Sequence, residues 1–281
     1  MMENLPPLTS PSAVKAALQD LQMVPGKSMG QNFLIDRNIL NIFVELAELK
    51  KSDSVLEVGP GLGTVTRELI SRAGRVTAIE KDKRLCDFLR RTVGDCPNFE
   101  LIEGDALDAN LEGLLAGGCN KLISNLPYSC GTRILVQVMT APARPELIVV
   151  TVQRDVAERM ASGPSRKDYG LLSVCTQIFY EVALERVISH GCFHPRPRVD
   201  SAIVRLRRRP EPLTGDLPPE FILSMLHEFF SKRRKQLGTL LSQIMRGVET
   251  EPLLVELGLD HKMRPENLSP EQWAGLLKAM R

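Results

Sequence analysis

The sequence predicts a mostly parallel α/β sheet with an antiparallel edge, followed by a small all-helical domain. Three observations predict it. Short apolar runs alternate five times with helical periodicity between residues 55 and 160. Two further strand-like runs then follow each other directly. Finally, EPLTGDLPP at 211–219 breaks the chain with three prolines and a glycine, and the patterns beyond it have helical spacing. A chain of 281 residues, 43% hydrophobic and 25% charged, accommodates one large globular domain or two unequal ones.

The elements follow in order. Residues 38–49 carry Ile39, Leu40, Ile42, Phe43, Leu46, Ala47 and Leu49 at helical spacing. VLEVGPGLG (55–63) is an apolar strand running into glycines, followed by the helical TVTRELISRA. RVTAIEKD (75–82) is a second strand, with KRLCDFLRRTV as its helix. FELIEGDAL (99–107) is a third. KLISNLPY (121–128) is a fourth, leading into the helical TRILVQVM. ELIVVTVQ (146–153) is a fifth, leading into RDVAERM. The connections are too long for hairpins, so the strands pair in parallel beneath covering helices. EVALERVISHG (181–191) and VDSAIVRLRR (199–208), joined by CFHPRPR, read as an antiparallel pair at a sheet edge. In the tail, FILSMLHEFFSKRRKQLGTLLSQIM (221–245) reads as helical, and Ser269 before Pro270 is an N-cap signal. The expected domains are therefore 26–209 and 210–281. Residues 1–25 form an N-terminal extension with a flexible start, in which VKAALQDLQ has helical character.

Composition narrows the function classes. The net charge of +2 gives a weak overall field, and residues 210–281 carry 9 Lys/Arg against 10 Asp/Glu, so nucleic-acid contact must come from local clusters. Two basic runs stand out, Arg205–Arg209 and Lys232–Lys235. The six cysteines lack C-x-x-C spacing and the histidines number four, which argues against a metal site or a disulfide framework and for free thiols in a reducing cytoplasm. No apolar run suits a bilayer, and the first residues lack the basic and apolar regions of a signal peptide.

The chemistry-bearing residues stand at strand ends. Gly59-Pro60-Gly61-Leu62-Gly63 joins the first strand to its helix, where a ligand can approach the backbone. Taken alone it is equally a structural turn. Glu80 ends the second strand, 21 residues after Gly59, where a carboxylate can accept both hydroxyls of a ribose. Asp105 ends the third, where it can accept from an adenine amino group. Either acid alone is equally a solvated strand-end charge. A dehydrogenase shares the loop and the first acid, but the G-x-G-x-G spacing lacks the pyrophosphate fingerprint. Glycines and two acids suit an adenosine without pyrophosphate, which points to S-adenosylmethionine.

The fourth strand ends in Ser124-Asn125-Leu126-Pro127-Tyr128-Ser129. A plain turn explains it as a local string. Beside a sulfonium methyl it acquires another meaning. An exocyclic adenine amine has a delocalised lone pair and is a poor nucleophile. Acceptors on its hydrogens, the Asn125 side-chain oxygen and the Pro127 carbonyl, favour a pyramidal nitrogen. Tyr128 offers a face on which an unstacked base can lie. Such transfer relies on positioning and needs no strong general base.

At this point the chain resembles the ribosomal RNA adenine dimethylases, and among them the small-subunit dimethyladenosine transferases. GKSMGQNFLID (26–36), VLEVGPGLGTVT, AIEKD, EGDAL, SNLPY, QRDVAERM (153–160), DYGLLSV (168–174) and FHPRPRVDSAIVRL (193–206) stand in that family's order. The resemblance implies a Rossmann-like class I methyltransferase sheet. It implies that Asn32, Leu34, Gly59, Gly61, Glu80, Asp105 and Asn125 hold the methyl donor. Asn125, Pro127, Tyr128 and Phe193 would serve the target adenine, with Phe193 stacking opposite Tyr128; without the family, Phe193 reads as an apolar plug. The implied substrate is a pair of adjacent adenosines in the 3′-terminal hairpin of small-subunit rRNA, within the small ribosomal subunit. The sequence does not give the oligomeric state, and a monomer is the default expectation. Lys232, Arg233, Arg234 and Lys235, with Arg196 and Arg198, would contact RNA. Gly26-Lys27, the Pro-Arg-Pro-Arg run at 195–198 and Gly238-Thr239 depart from the family's usual residues. Two other readings share the catalytic motifs: a large-subunit adenine methylase conferring macrolide resistance, and a ribosome-binding protein that has no need of catalysis.

Overall fold

A computed structural model describes residues 8–24, 30–247 and 249–281. Of the expected flexible start, NLPPLTSPS (4–12), residues 4–7 lie outside this range, as do the first four residues of the GKSMGQNFLID block; Ser10 caps a helix that begins at Pro11. In chain order the elements are α1 (Pro11–Asp20), β1 (Phe33–Leu34), α2 (Arg37–Leu46), β2 (Ser54–Val58), α3 (Thr64–Arg72), β3 (Arg75–Glu80), α4 (Lys83–Val93) and β4 (Phe99–Glu103). There follow α5 (Leu111–Ala116), β5 (Lys121–Asn125), α6 (Gly131–Thr140), β6 (Leu147–Gln153), α7 (Arg154–Ala161), α8 (Leu171–Phe179), β7 (Tyr180–Ile188), β8 (Phe193–His194) and β9 (Ser201–Arg208). The last helices are α9 (Pro219–Ser231), α10 (Leu237–Ile244), α11 (Glu251–Glu256) and α12 (Pro270–Ala279).

The main sheet has seven strands in the order β4-β3-β2-β5-β6-β9-β7. The pairs from β4 through β6 are parallel, and β9 is antiparallel to β6. The expected mixed sheet is thus present. From β2 the chain moves outward through β3 to β4; it returns to β5 and moves the other way to β6. This reversal leaves a crevice at the carboxyl ends of β2 and β5. A separate two-stranded ladder pairs Phe33 with His194 and Leu34 with Phe193.

Local chemistry sets the boundaries. Asp36, Asp82 and Ser269 cap α2, α4 and α12 with their side chains, and Pro270 occupies the first turn of α12 as its fixed φ favours. β5 and β6 are buried on both faces, which is why they read as continuous apolar runs.

Residue contacts divide the chain into two units. One runs to Ala157 and includes Ala183–Arg207; the other joins Glu158–Val182 to Arg208–Arg281. The helical unit therefore includes residues 158–182 as well as the tail that follows the proline-rich stretch. Within it α8 packs on α9 and α12, and Trp273 meets Phe229 and Phe230 at ring-centroid distances of 5.2 and 5.4 Å. The expected helix over 221–245 is broken: residues 232–236 form a turn between α9 and α10. Four consecutive cations repel along a helix, and the chain is re-anchored beyond them when the Leu237 amide donates to the Met263 carbonyl at 2.7 Å.

At the end of the sheet opposite the crevice, Lys121 Nζ lies 2.8 Å from the Asp53 carboxylate, both side chains under a tenth exposed. The ammonium also donates to the carbonyls of Ala47 (3.0 Å) and Glu48 (2.6 Å), and Asn120 and the Lys50 amide complete the carboxylate's partners. Removing one partner strands a buried charge. Lys121→Ala is expected to lose about 3–5 kcal/mol in urea unfolding, whereas the double variant Lys121→Met/Asp53→Asn loses much less. Equal losses would show that packing, and not charge pairing, holds this corner.

Candidate active site

The crevice opens into a cleft of about 290 Å³ at the carboxyl ends of β2, β3, β4 and β5. Asn32, Leu34, Gly59, Gly61, Glu80, Asp105, Asn125 and Pro127, eight residues singled out from the sequence, all line it. Gly59, Gly61 and Gly63 have φ of 70°, 60° and 81°, the left-handed region in which a side chain is strained. A Cβ on Gly61 would also stand 2.9 Å from the Phe33 ring, so the residue-33 side chain lies directly over the loop. Behind Phe33, Leu62 and Leu85 is α1, whose Val14 and Leu18 join them in a second apolar cluster.

Glu80 is 7% exposed. Its carboxylate accepts from the amides of Gly61 (3.0 Å), Lys81 (2.9 Å) and Asp82 (2.9 Å). Burial pushes its pKa up, against the pull of these three amides. A carboxylate has about four acceptor directions, so Glu80 holds the glycine loop in shape and keeps one direction for a ligand. Asp105 is more open. The Lys81 ammonium, 2.7 Å away, and the Leu107 amide hold its pKa below the ordinary carboxylate range.

Asn125 is oriented from both sides. Its Nδ2 donates to the Asn32 carbonyl at 2.9 Å, and its Oδ1 accepts from the Thr151 hydroxyl. The amide oxygen keeps one lone pair directed elsewhere. The segment supplying Asn32 is itself seated tightly, since a Cβ on Gly30 would come within 3.0 Å of the Tyr128 and Ser129 amides. Tyr128 lies outside the main cleft in an adjoining hollow, with its hydroxyl bonded to Ser201.

Two expectations are corrected. The Pro127 carbonyl accepts from the amides of Cys130 (3.3 Å) and Gly131 (2.8 Å) at the start of α6, which occupies both its lone pairs. It is a cap for that helix and does not serve as an amine acceptor. Leu126, one residue earlier, lines both the cleft and the hollow, and its carbonyl has no partner among the described residues. Phe193 is 2% exposed within the core cluster of Leu34, Ile39, Leu40 and Phe43, and it lines neither the cleft nor the hollow. Its pairing with Leu34 draws it inward, so it is the apolar plug.

The basic residues lie elsewhere. Arg196 and Arg198 are exposed in the loop after β8. Of the Lys232–Lys235 run, in the helical unit, Lys232 pairs with Glu228 and Arg233 with Glu266 (2.6 Å), whereas Arg234 and Lys235 have no ion pair among the described residues.

Sequence reasoning missed Glu57. It lines the cleft from inside β2, is 1% exposed, and its Oε2 is buried without a hydrogen-bond partner. Burial pushes its carboxyl up to about 8, with Glu80 adding to the shift. The signal was an acid set within the apolar run Val55-Leu56-Glu57-Val58. Among the described residues no three His, Cys, Asp or Glu side chains gather as metal ligands.

Comparison with known proteins gives a consistent result. The family model for ribosomal RNA adenine dimethylase matches residues 26–281. The chain is 36% identical to the ribosomal RNA small subunit methyltransferase A of Shouchella clausii, covering 97% of this chain and 95% of that one. The enzyme of the same name from Clostridium perfringens is 37% identical, with 90% of each covered. Among solved structures, the 23S rRNA methyltransferase ErmE is 31% identical with a TM-score of 0.67, covering 88% of this chain and 99% of that one. A dimethyladenosine transferase from Plasmodium falciparum shares the fold, with a TM-score of 0.74 at 23% identity, covering 87% and 95%.

Proposed function

The chain belongs to the ribosomal RNA adenine dimethylase family as an S-adenosylmethionine-dependent rRNA adenine N6-dimethyltransferase, and we propose that its targets are two adjacent adenosines in the 3′-terminal hairpin of small-subunit rRNA. The observation that carries the chemistry is Asn125, locked by Asn32 and Thr151 at the mouth of an acid-lined cleft. The small-subunit target rests on the relatives over nearly the full chain. The work would take place in the cytoplasm, on the small subunit or its precursors.

The residues present suit the donor. Asp105 would accept from its adenine amino group and Glu80 from its ribose, and the glycine loop would admit it against the backbone. Glu57, whose buried Oε2 lacks a hydrogen-bond partner, would take the donor's ammonium. S-adenosylmethionine supplies an electrophilic methyl on a positively charged sulfur. Asn125 Oδ1 and the Leu126 carbonyl accept from the target amine and localise its lone pair toward that methyl. Transfer would form the C–N bond as the C–S bond breaks, leaving the electron pair on sulfur, and solvent would take the amine proton. Tyr128 supports the base. Catalysis of this kind is positioning and electrostatics.

The deciding experiment is methyl transfer from labelled S-adenosylmethionine to small subunits lacking the dimethylations, to protein-free rRNA and to large-subunit precursors. Dimethyladenosine in the small-subunit 3′-terminal hairpin is expected. Label in large-subunit RNA would move the protein to the resistance-type branch, and intact donor binding without transfer would favour the non-catalytic reading. Asn125→Ala is expected to cut transfer roughly 10²–10³-fold with modest loss of donor affinity; transfer at the wild-type rate would remove amine polarisation from the mechanism.

Glu57 links donor binding to pH. Only its ionised form attracts the ammonium, and with a pKa near 8 it is mostly protonated at neutral pH. Donor affinity is therefore expected to rise by up to about tenfold per pH unit between pH 6 and 7.5, with proton release in calorimetry. Glu57→Gln should flatten the profile; an unflattened one assigns the proton elsewhere.

For RNA docking, Arg234 and Lys235 are the members of the basic turn not already neutralised within the protein. Replacing both with alanine is expected to lower the salt slope of subunit binding by roughly 0.7–0.9 per side chain. Lys232→Ala should change it less. An unaltered slope in the double variant would make the turn a plain solvated surface.

A further inference from the structure

We propose that Gln153 reads the target adenine, its side-chain amide donating to a ring nitrogen that flanks the reacting amine; the inference rests on the function proposed above. The placement comes from strand register. Asn125 is the Cα partner of Thr151, and Gln153 is the partner of Ser201. Partnered residues share a face of the sheet, as do residues two apart on one strand. Asn125, Thr151, Gln153 and Ser201 therefore occupy a single face at its carboxyl edge. Each of the others is engaged there: Thr151 holds Asn125, and Ser201 holds the Tyr128 hydroxyl. Gln153 alone of the four makes no side-chain hydrogen bond to a described residue.

Gln153 is half-buried and lines the hollow shared by Leu126, Pro127 and Tyr128, next to the main cleft. A base seated on Tyr128 would cover this amide and remove its water. An amide so covered needs a new partner, because an unsatisfied buried donor is costly. Adenine offers acceptors at N1 and N7, on either side of its amino group, and glutamine pairing with adenine edges is a recurrent geometry. With Asn125 and the Leu126 carbonyl on the amine hydrogens, a donor from Gln153 fixes the rotation of the ring about the amine.

This predicts a particular kinetic signature. After the first methyl the amine has one hydrogen left, so one of its two acceptor contacts is gone. The base then depends more on Gln153 for the second transfer than for the first. Loss of the amide donor should therefore slow the second step more and let monomethyladenosine accumulate.

The test compares wild type with Gln153→Leu and with Gln153→Glu, which keeps the shape and removes the NH₂ donor. Single-turnover transfer to undimethylated small subunits is followed at saturating donor, with mono- and dimethyladenosine quantified by mass spectrometry. Donor and subunit affinities are measured in parallel. Both variants are expected to slow the first transfer by about tenfold and the second by more, with both affinities within about twofold of wild type. Wild-type rates and product ratios in Gln153→Leu would overturn the proposal, as would full activity in Gln153→Glu. A fall in donor affinity alongside the rate would also overturn it, by making Gln153 structural. Failure of the wild-type protein to transfer any methyl would instead sink the underlying function, and the wild-type series separates that case.

Discussion

Two neighbouring parallel strands, β2 and β5, send their helical connections toward opposite edges of one sheet, and a cleft opens beside their carboxyl ends. Every feature of the site answers to that gap. The Ser124 hydroxyl bonds the Val58 carbonyl across it, keeping the two strand ends in register. At the other end of the same strands the Lys121–Asp53 pair closes the sheet. The crevice is thus open at one end because it is bound at the other.

The chain turns this gap into a site with few side chains. Glu80 ties the glycine loop through the Gly61 amide, and the β1 segment lies across that loop through Phe33. The Asn32 carbonyl and the Thr151 hydroxyl, from elements far apart in sequence, then meet at one amide, Asn125. In the function proposed above, the rigidity of that amide is the catalytic asset. It is preorganised by hydrogen bonds formed on folding, so little rearrangement remains for the moment of transfer.

Much of this was legible in the sequence, and the unread parts have physical causes. α4 spans the eleven residues its periodicity marks, because one face is apolar and Asp82 caps it. The cleft-lining residues were legible because they stand at strand carboxyl ends, which converge on the crevice of an α/β sheet. α8 left no periodic signal because it is buried around most of its circumference, with Leu172, Ser173, Val174, Cys175, Thr176, Ile178 and Phe179 all inside. Phe193 and the Pro127 carbonyl were misplaced because a side chain's or carbonyl's direction is set by its partners: Leu34, far away in the chain, pairs with Phe193, and the amides of Cys130 and Gly131 at the start of α6 turn the Pro127 carbonyl toward themselves. Glu57 was passed over because an acid inside a strand resembles any polar interruption until its burial is known.

The composition of the helical unit bears on how the protein is made. Residues 158–182 leave the ribosome long before the helices they pack against. α8, apolar nearly all round, must wait for α9 and α12, and the Tyr169 hydroxyl finds the Leu268 carbonyl only across 99 residues of chain. During synthesis this stretch is an uncovered hydrophobic surface whose partner does not yet exist. The sheet can be assembled by then, but the helical unit closes only when Trp273 has emerged. Its closure therefore depends on contacts of long sequence separation, and the nascent chain carries a window of vulnerability to aggregation between those two events.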